Sequence, residues 1–437
     1  MPPQNCVCIQ SVLTRFAQHI QSPAFLAEAR HPDFPTAFTR TRKLPLPTLV
    51  AALCGFRGGS VQSELDSFFA HQHGECVGAG LLRHVTDRAL AKARSKLHVP
   101  ALWALNARLV QDMHEQGLLS LWKGRRLVCA DATVLAPAQR ACHRTRSLAA
   151  PVQRALGLYL PGNEVMLHVA VGPESEGERQ MLFDQLDVLR PGDVLVLDRG
   201  YPATWLVQLL HTKGIAFVIR CDSTHSWRAA RDLLRSAGQH PSDDECWACL
   251  ATTAADKVAC WELDGAAQMR LRLVRHVSSS GRVRVLITSL DEAQATAAEL
   301  GDLYHGRWRI EEAFKRLKHR LGLESVSGLS QHALLVDVAM KVLADNLASL
   351  LNRSVDVDAR GSDASPVIRK VNRATASKAL SRCVRVLLLH VHELPALIRD
   401  WAAMMGRSLV RHLPGRSQPR QNTRHKPHPS QAYKRAA

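Results

Sequence analysis

Two short apolar runs, each meeting an aspartate, constrain the fold of this chain more than any other feature. Asp131 follows the run "LVCA", and Asp198 follows the run "VLVL". Over residues 125–222 the hydrophobic pattern predicts the order strand, strand, strand, helix, strand, helix, strand. This order predicts an α/β fold in which a mixed sheet carries helices on its faces.

The charge of the chain indicates a polyanionic partner. There are 57 Lys and Arg against 39 Asp and Glu, which gives a formal net charge of +18. A surplus of this size favours nucleic acid as the partner. A basic protein without a specific partner is the alternative that charge alone leaves open.

Changes in periodicity and composition divide the chain into six segments. They are a helical DNA-binding region at 1–120, the first part of the core at 121–222, a β-rich insertion at 223–299, the second part of the core at 300–355, a helical region for DNA binding or dimerisation at 356–405, and a basic tail at 406–437. The tail contains eight Lys or Arg and no acidic residue, which is typical of a flexible arm that binds a polyanion.

One predicted helix of the amino-terminal region carries a row of basic side chains. Thr86 is its candidate N-cap, and the basic residues are Arg88, Lys92, Arg94 and Lys96. The helix would enter a DNA groove or follow phosphates, or it is a packing helix with a solvated face. The sequence leaves both interpretations open.

The apolar segments and the cysteines indicate the cellular compartment in which the protein is expected. The most apolar segment, "ALLVDVAMKVLADNLASLL", contains three charged residues and predicts a buried helix, not a membrane span, and the start of the chain lacks a signal-peptide pattern. Eleven cysteines without regular spacing suit a reducing cytoplasm. Cys246 and Cys249 form a C-x-x-C pair, with Cys260 following, but we interpret them as strand residues in preference to zinc ligands.

An aspartate on a buried strand is costly unless its charge is compensated. A divalent metal ion can do so, because Mg²⁺ takes hard oxygen ligands from carboxylates and from substrate phosphates. One such residue is more often a cap or an ion-pair partner. Asp131 and Asp198 together favour a metal site, because a sheet of this kind can place their strands side by side.

The stretch "YHGRWRIEEAFKRLK", residues 304–318, predicts a single basic helix. At about 100° per residue, Tyr304, Arg307, Glu311 and Lys318 would lie within a sector of roughly 60°. Glu312 would be turned about 100° away from Glu311. An ordinary solvated helix would explain charged residues here, but it leaves the mostly charged shared face unexplained.

Asp131, Asp198 and Glu311 together suit a two-metal phosphodiester site. The two basic residues on the shared face of the helix would neutralise phosphate oxygens, and Tyr304 would hydrogen-bond to the same backbone. This constellation predicts phosphoryl-transfer chemistry on DNA.

The same residues resemble the signature of a known family. Tyr304, Arg307, Glu311 and Lys318 reproduce the Y-R-E-K spacing of the insertion-sequence-four family of DDE transposases. The segments "DATVL" and "DRGY" look like its first and second aspartate motifs. The resemblance covers about residues 125–351.

The resemblance implies an RNase H-like core, with Asp131 on its first strand, Asp198 on its fourth and Glu311 on a helix that follows a β-rich insertion. These three acids would be catalytic and would bind two Mg²⁺ ions, for which Mn²⁺ can substitute. It also implies cut-and-paste transposition of an insertion sequence. A homodimer in a synaptic complex would cleave at the terminal inverted repeats, often through a hairpin, and transfer the 3′-hydroxyl into target DNA. The expected location is a bacterial cytoplasm, associated with the nucleoid.

This chain departs from the family pattern at two places. Ala132 stands where the first motif commonly has Gly, a substitution between small residues. Some relatives place a tryptophan before the Y-R-E-K helix to receive a flipped base, where this chain has Arg284 and Val285. Other aromatic residues that would serve as a stacking platform are Trp227, Trp247 and Trp261.

Two further arginines follow predicted strands of the core. Arg199 and Arg220 are candidates for DNA-backbone contacts near the metals, with structural salt bridges as the alternative.

A metal-dependent DNA nuclease that does not join strands would have the same site in sequence. An inactive DNA-binding relic is disfavoured because all three acids are present with the Tyr, Arg and Lys of the signature.

Overall fold

The computed structural model describes residues 4–39, 44–70, 84–137, 150–221, 227–235, 245–263, 268–278, 281, 283–357 and 368–412. The chain divides into two compact units. The helical unit comprises Met1–Leu118, Leu135–Val152 and Lys315–Ala437, and the sheet unit comprises Leu119–Val134 and Gln153–Phe314.

The sheet unit is built on a mixed β-sheet. Its strands are β1 (Leu127–Leu135), β2 (Gln153–Leu160), β3 (Val165–Pro173), β4 (Val194–Leu197), β5 (Ala216–Cys221), β6 (Glu245–Ala251), β7 (Gln268–Val277) and β8 (Val283–Thr288). They lie in the order β3-β2-β1-β4-β5-β8-β7-β6. β4 is parallel to β1 and β5, whereas β2 with β3, β5 with β8, β8 with β7 and β7 with β6 are antiparallel. The predicted α/β class is confirmed, and the sheet is consistent with an RNase H-like core.

Helices connect and cover these strands. They are α7 (Glu178–Phe183), α8 (Thr204–Thr212), α9 (Arg228–Arg235), α10 (Ala254–Ala259) and α11 (Ala297–Gly306). The order β1, β2, β3, α7, β4, α8, β5 is the predicted one. All four residues of β4 are apolar and buried, as expected for a strand covered on both faces. β4 and β5 pack against apolar residues of α11, namely Leu300, Leu303 and Tyr304.

The predicted β-rich insertion contributes β6, β7 and β8. Pairing of β8 with β5 joins these strands to the core sheet, so the insertion extends that sheet. Cys246 and Cys249 lie in β6, which confirms that they are strand residues. Side chains three positions apart on a strand project from opposite faces, and this pair is therefore not arranged to share a zinc ion.

The helical unit contains α1 (Gln4–Ile20), α2 (Pro23–Glu28), α3 (Leu46–Gly55), α4 (Val61–Ala70), α5 (Asp87–Arg94), α6 (Val99–Glu115), α13 (Gln331–Asn352), α14 (Arg373–Leu389) and α15 (Leu394–Arg407). The prediction of a helical amino-terminal region is confirmed. α13 is the apolar segment noted above and is buried over most of its length. Among the described residues, no helix has the length and apolar character needed to cross a membrane.

The carboxyl-terminal part of the helical unit differs from the prediction at two places. Strand β9 (Ile368–Val371) occupies the start of the predicted helical segment, and strand β10 (Leu409–His412) occupies the start of the predicted flexible tail. The two pair as an antiparallel ribbon. Both strands contain β-branched residues, which favour a pleated strand over a helix or a coil. The tail beyond His412 lies outside the described residues.

Candidate active site

Asp131 lies in the middle of β1, and Asp198 comes directly after β4, just past the point where the parallel pairing of these strands ends. In the parallel pairing of these strands, Leu127 lies beside Val194 and Cys129 beside Val196. Continued for two residues beyond this pairing, the register aligns Asp131 with Asp198, and Asp198 is close enough to raise the pKa of Asp131. The sequence-based expectation that the sheet brings these two acids together agrees with this register.

Local hydrogen bonds orient both carboxylates. The backbone N–H of Ala132 donates to Asp131 Oδ1 at 2.9 Å. The backbone N–H of Gly200 donates to Asp198 Oδ1 at 2.7 Å, which closes a turn immediately after β4. These bonds leave the second oxygen of each carboxylate for other partners.

A turn between two helices supplies the cation at this site. The prediction of one continuous helix over 304–318 is wrong, because α11 ends at Gly306 and α12 (Arg309–His319) begins three residues later. Backbone N–H groups of Arg307 and Trp308 bond to carbonyls three residues earlier, at 3.2 and 3.3 Å, as in a 3₁₀ turn. Glycine has low helix propensity, and Gly306 gives a local reason for the break.

Arg307, in this turn, bridges two of the three predicted acids. Its Nη1 donates to Asp131 Oδ2, and its Nη2 lies 3.7 Å from Glu311 Oε1. Arg307 was expected to neutralise phosphate oxygens, but its side chain is only 7% exposed and its guanidinium is directed at carboxylates. Arg307 and Glu311 are four residues apart and contact each other, although α11 and α12 are separate helices.

The charges at the site are not balanced. Burial raises the pKa of the Asp131 carboxyl, and Asp198 raises it further, even though Arg307 and the Ala132 N–H act in the opposite direction. Burial lowers the pKa of the Arg307 guanidinium, but Asp131 and other neighbours outweigh this effect and leave the pKa raised. The arginine is therefore fully charged, and this one cation contacts two of the three acids while the third, Asp198, lies close enough to affect its pKa.

Tyr201 is a site residue that the sequence reasoning missed. It is the last residue of the "DRGY" segment and is fully buried, and its hydroxyl has no hydrogen-bond partner of good geometry among the described residues. Burial, followed by the carboxylates of Glu178, Asp131 and Asp198, raises the pKa of this phenol well above its ordinary value. Glu178 is thus close enough to act on it without a well-formed bond. The position of Tyr201, three residues after Asp198, is the sequence feature that could have predicted it as a site residue.

The donor set formed by Asp131 of β1 and Asp198 directly after β4 fits a divalent cation. Two adjacent carboxylates offer hard oxygen ligands, and the buried hydroxyl of Tyr201 near them lacks a hydrogen bond of good geometry among the described residues. Among the described residues, ligand atoms of three His, Cys, Asp or Glu side chains lie within 4.8 Å of one another at His390, His392 and Glu393. The three acids of the sheet unit do not form such a group. Glu311, held by Arg307, therefore does not converge with both aspartates to that distance.

The other predicted residues of the signature have separate surroundings. Tyr304 is 4% exposed, and its ring packs in the sheet-unit core with the guanidinium groups of Arg284 and Arg307 at 5.1 and 5.9 Å. Lys318 belongs to the helical unit, where its Nζ lies 3.4 Å from Glu324 Oε1. Glu312 is exposed, as expected.

The predicted basic helix is shorter and less exposed than expected. Thr86 is its N-cap, as predicted, since its hydroxyl accepts from the Ala89 N–H at 3.2 Å. Arg88 and Lys92 are exposed. Arg94, however, is buried and donates to Ser327 Oγ, and Lys96 lies beyond the helix end with its Nζ 5.9 Å from the Phe34 ring centroid. The basic row thus reduces to two exposed side chains.

The remaining candidates divide by exposure. Arg199 is exposed, whereas Arg220 has a buried Nε without a hydrogen-bond partner among the described residues. Of the three predicted aromatic residues, Trp261 is 80% exposed, Trp247 stacks under the Arg270 guanidinium at 4.3 Å, and Trp227 Nε1 donates to Thr204 Oγ1 at 3.3 Å. Trp308, which follows Arg307 in the turn, is half-exposed and was not among the predicted aromatics.

A comparison with known protein families agrees with this geometry. The model of the family described as "Transposase DDE domain" matches residues 122–347, slightly more than half of the chain and a range that contains all three acids. A cryo-EM structure of a piggyBac transposase synaptic complex with hairpin DNA is similar over 94% of this chain and 87% of that chain, at 12% identity and a TM-score of 0.42. A likeness at that score carries no functional conclusion. No curated protein sequence matches the chain.

Proposed function

The chain belongs to the transposase DDE domain family, and from this premise we propose that it catalyses cut-and-paste transposition of an insertion sequence. The proposed reaction is metal-dependent cleavage at the terminal inverted repeats, followed by transfer of the freed 3′-hydroxyl into target DNA. Asp131, Asp198 and Glu311 are the proposed catalytic and metal-binding acids. The Y-R-E-K spacing supports a place within the insertion-sequence-four family.

The observation that carries this proposal is the register of β1 and β4. Continued for two residues past the paired segment, it aligns Asp131 with Asp198. Arg307 contacts Asp131 and Glu311 and so compensates only part of the charge of the three acids. Holding partly buried like charges close together is unfavourable in a purely structural role. It is the arrangement expected where a divalent cation and phosphate oxygens complete the site.

The residues have distinct proposed roles. Asp131 and Asp198, with Glu311, would hold one or two Mg²⁺ or Mn²⁺ ions, which when bound would stabilise charge on the reacting phosphate and lower the pKa of the attacking water or hydroxyl. Arg307 keeps Asp131 ionised and holds Glu311 beside it. The buried phenol of Tyr201 stays protonated, since burial and the carboxylates of Glu178, Asp131 and Asp198 raise its pKa.

DNA is the proposed partner, and the formal net charge of +18 supports it. Arg199 and Arg220 are proposed to bind backbone phosphates near the site, and Lys318, Arg88 and Lys92 of the helical unit are proposed to bind DNA as well. The basic residues after His412 would add sequence-independent affinity. Action as a homodimer that synapses two transposon ends is part of the same proposal.

The test is an end-cleavage and joining assay with purified protein, Mg²⁺ and DNA carrying the ends of the element that encodes it. We expect cleavage and transfer to a second DNA. Asp131→Asn, Asp198→Asn and Glu311→Gln should each reduce cleavage by about a thousandfold or more, since several kcal/mol of transition-state stabilisation depend on the metal site. DNA binding, measured in parallel, should persist.

Asp187→Asn is a matched control, because Asp187 is an almost fully exposed carboxylate of the same unit. It should cleave at the wild-type rate. Cleavage without any joining would favour the nuclease alternative, and full activity of Asp131→Asn would disprove the assignment of the acids.

A further inference from the structure

A second cluster of metal-ligand side chains lies in the helical unit. A short 3₁₀ helix, Val391–Glu393, connects α14 to α15, and His390, His392 and Glu393 place one ligand atom each within 4.8 Å of one another. None of these residues takes part in the proposed transposition chemistry. We propose that they form a binding site for a transition-metal ion of the zinc type.

The backbone explains why the three side chains converge. In a 3₁₀ turn, residues three apart are eclipsed and lie on the same side. The backbone N–H of Glu393 donates to the His390 carbonyl at 3.0 Å, which closes this turn and brings the two side chains together. His392 precedes Glu393 and reaches the same carboxylate from the other side.

The separations suit metal ligands better than a hydrogen-bonded cluster. Glu393 Oε1 lies 3.7 Å from His390 Nδ1 and 3.4 Å from His392 Nε2. N–H···O hydrogen bonds are usually about 2.7–3.2 Å long, so both contacts are too long for good ones. In a tetrahedral zinc site with bonds near 2.05 Å, neighbouring ligand atoms are about 3.4 Å apart.

The ligand types define the class of ion. Two imidazoles and one carboxylate are a ligand set that zinc uses when water holds its fourth position. Imidazole favours Zn²⁺ or Ni²⁺ over Mg²⁺, which prefers oxygen ligands. The site is therefore chemically distinct from the acid cluster of the sheet unit. Because it lies at the junction of α14 and α15, a bound ion would stabilise that junction.

The test is equilibrium dialysis of the full-length chain against Zn²⁺, with bound zinc counted per chain. We expect His392→Ala and Glu393→Gln each to bind one zinc ion fewer than wild type. His392 is 78% exposed and Glu393→Gln preserves shape, so neither change disturbs packing. His211→Ala is the matched control, because His211 is exposed at the end of α8 and lies outside the cluster.

Subtraction between variants removes the contribution of cysteines elsewhere in the chain. Thermal unfolding gives an independent readout, since Zn²⁺ should raise the Tm of the wild type and of His211→Ala more than that of His392→Ala. Equal zinc counts in all four proteins, or equal Tm shifts, would overturn the proposal.

Discussion

The two ends of the paired segment of β1 and β4 share one register but differ in how their charges are compensated. At the amino end, Arg126 lies beside Asp193, both side chains are buried, and the Arg126 Nε donates to Asp193 Oδ1 at 2.8 Å while Nη2 bonds to the other oxygen. At the carboxyl end of the paired segment, five residues further along the chain from Arg126 and from Asp193, Asp131 and Asp198 are close enough for Asp198 to raise the pKa of Asp131. One end is a compensated ion pair, and the other brings two like charges together.

The difference separates structural from functional use of buried charge. A bidentate arginine–carboxylate pair satisfies both partners and needs no further ion. Two adjacent carboxylates raise each other's energy and need a cation. Arg307 meets that need only in part, since burial and Asp198 still leave the pKa of Asp131 raised. The charges at the amino end of the strand pair are thus fully paired, whereas the carboxylates at the carboxyl end still need a cation.

The largest expected effect on stability is at the amino end. Asp193→Asn should lower the free energy of unfolding by about 3–5 kcal/mol, because Arg126 would remain buried without its partner. Urea unfolding followed by circular dichroism measures this change. Replacing both residues with apolar ones, Arg126→Met with Asp193→Leu, should restore most of the loss.

The exposed pair of Asp187 with Lys213 provides the control, since its atoms are 3.9 Å apart and Asp187 is almost fully exposed. Asp187→Asn should change the free energy of unfolding by less than about 1 kcal/mol. If Asp193→Asn costs no more than this control, the two ends do not differ in the way described.

A smaller effect is expected when the cation at the carboxyl end is removed. Arg307→Gln should slow cleavage about ten- to a hundredfold, the equivalent of one charged hydrogen bond of about 1.5–3 kcal/mol. Without Arg307 the pKa of Asp131 should rise further, so the acidic limb of the cleavage–pH profile should move to higher pH. Arg307→Lys keeps the charge and should move the limb less. An unshifted limb in both variants would show that Arg307 does not control the ionisation of Asp131.

The smallest expected effect is a gain in stability. A carboxyl whose pKa is raised on folding stabilises the folded state below the ordinary Asp pKa of about 3.9, and this contribution is lost as pH rises through the folded value. At neutral pH the free energy of unfolding of Asp131→Asn should therefore be larger than that of wild type, so the variant is more stable. This difference in stability should shrink as the pH falls toward 4. Denaturant titrations at several pH values test this, and a loss of stability at pH 7 would contradict it.

Much of the sheet unit could be predicted from sequence because its signals are local. The apolar runs before Asp131 and Asp198, and the helices between the strands, follow from hydrophobic period alone. The break at Gly306 was missed because the charged face continued through it at helical spacing. The burial of Arg94 was missed for a different reason, since its partner Ser327 is far away in sequence. The roles of Arg307 and Tyr201 depend on tertiary contacts that no spacing rule contains.

The most direct test of the incomplete carboxyl end is equilibrium binding of Mn²⁺ to the DNA-free protein, followed by the EPR signal of free Mn²⁺. Wild type, Asp187→Asn and His392→Ala should bind the ion alike, whereas Asp131→Asn and Asp198→Asn should each lose it. Binding by Asp131→Asn equal to that of wild type would contradict the assignment of this strand end as the metal site.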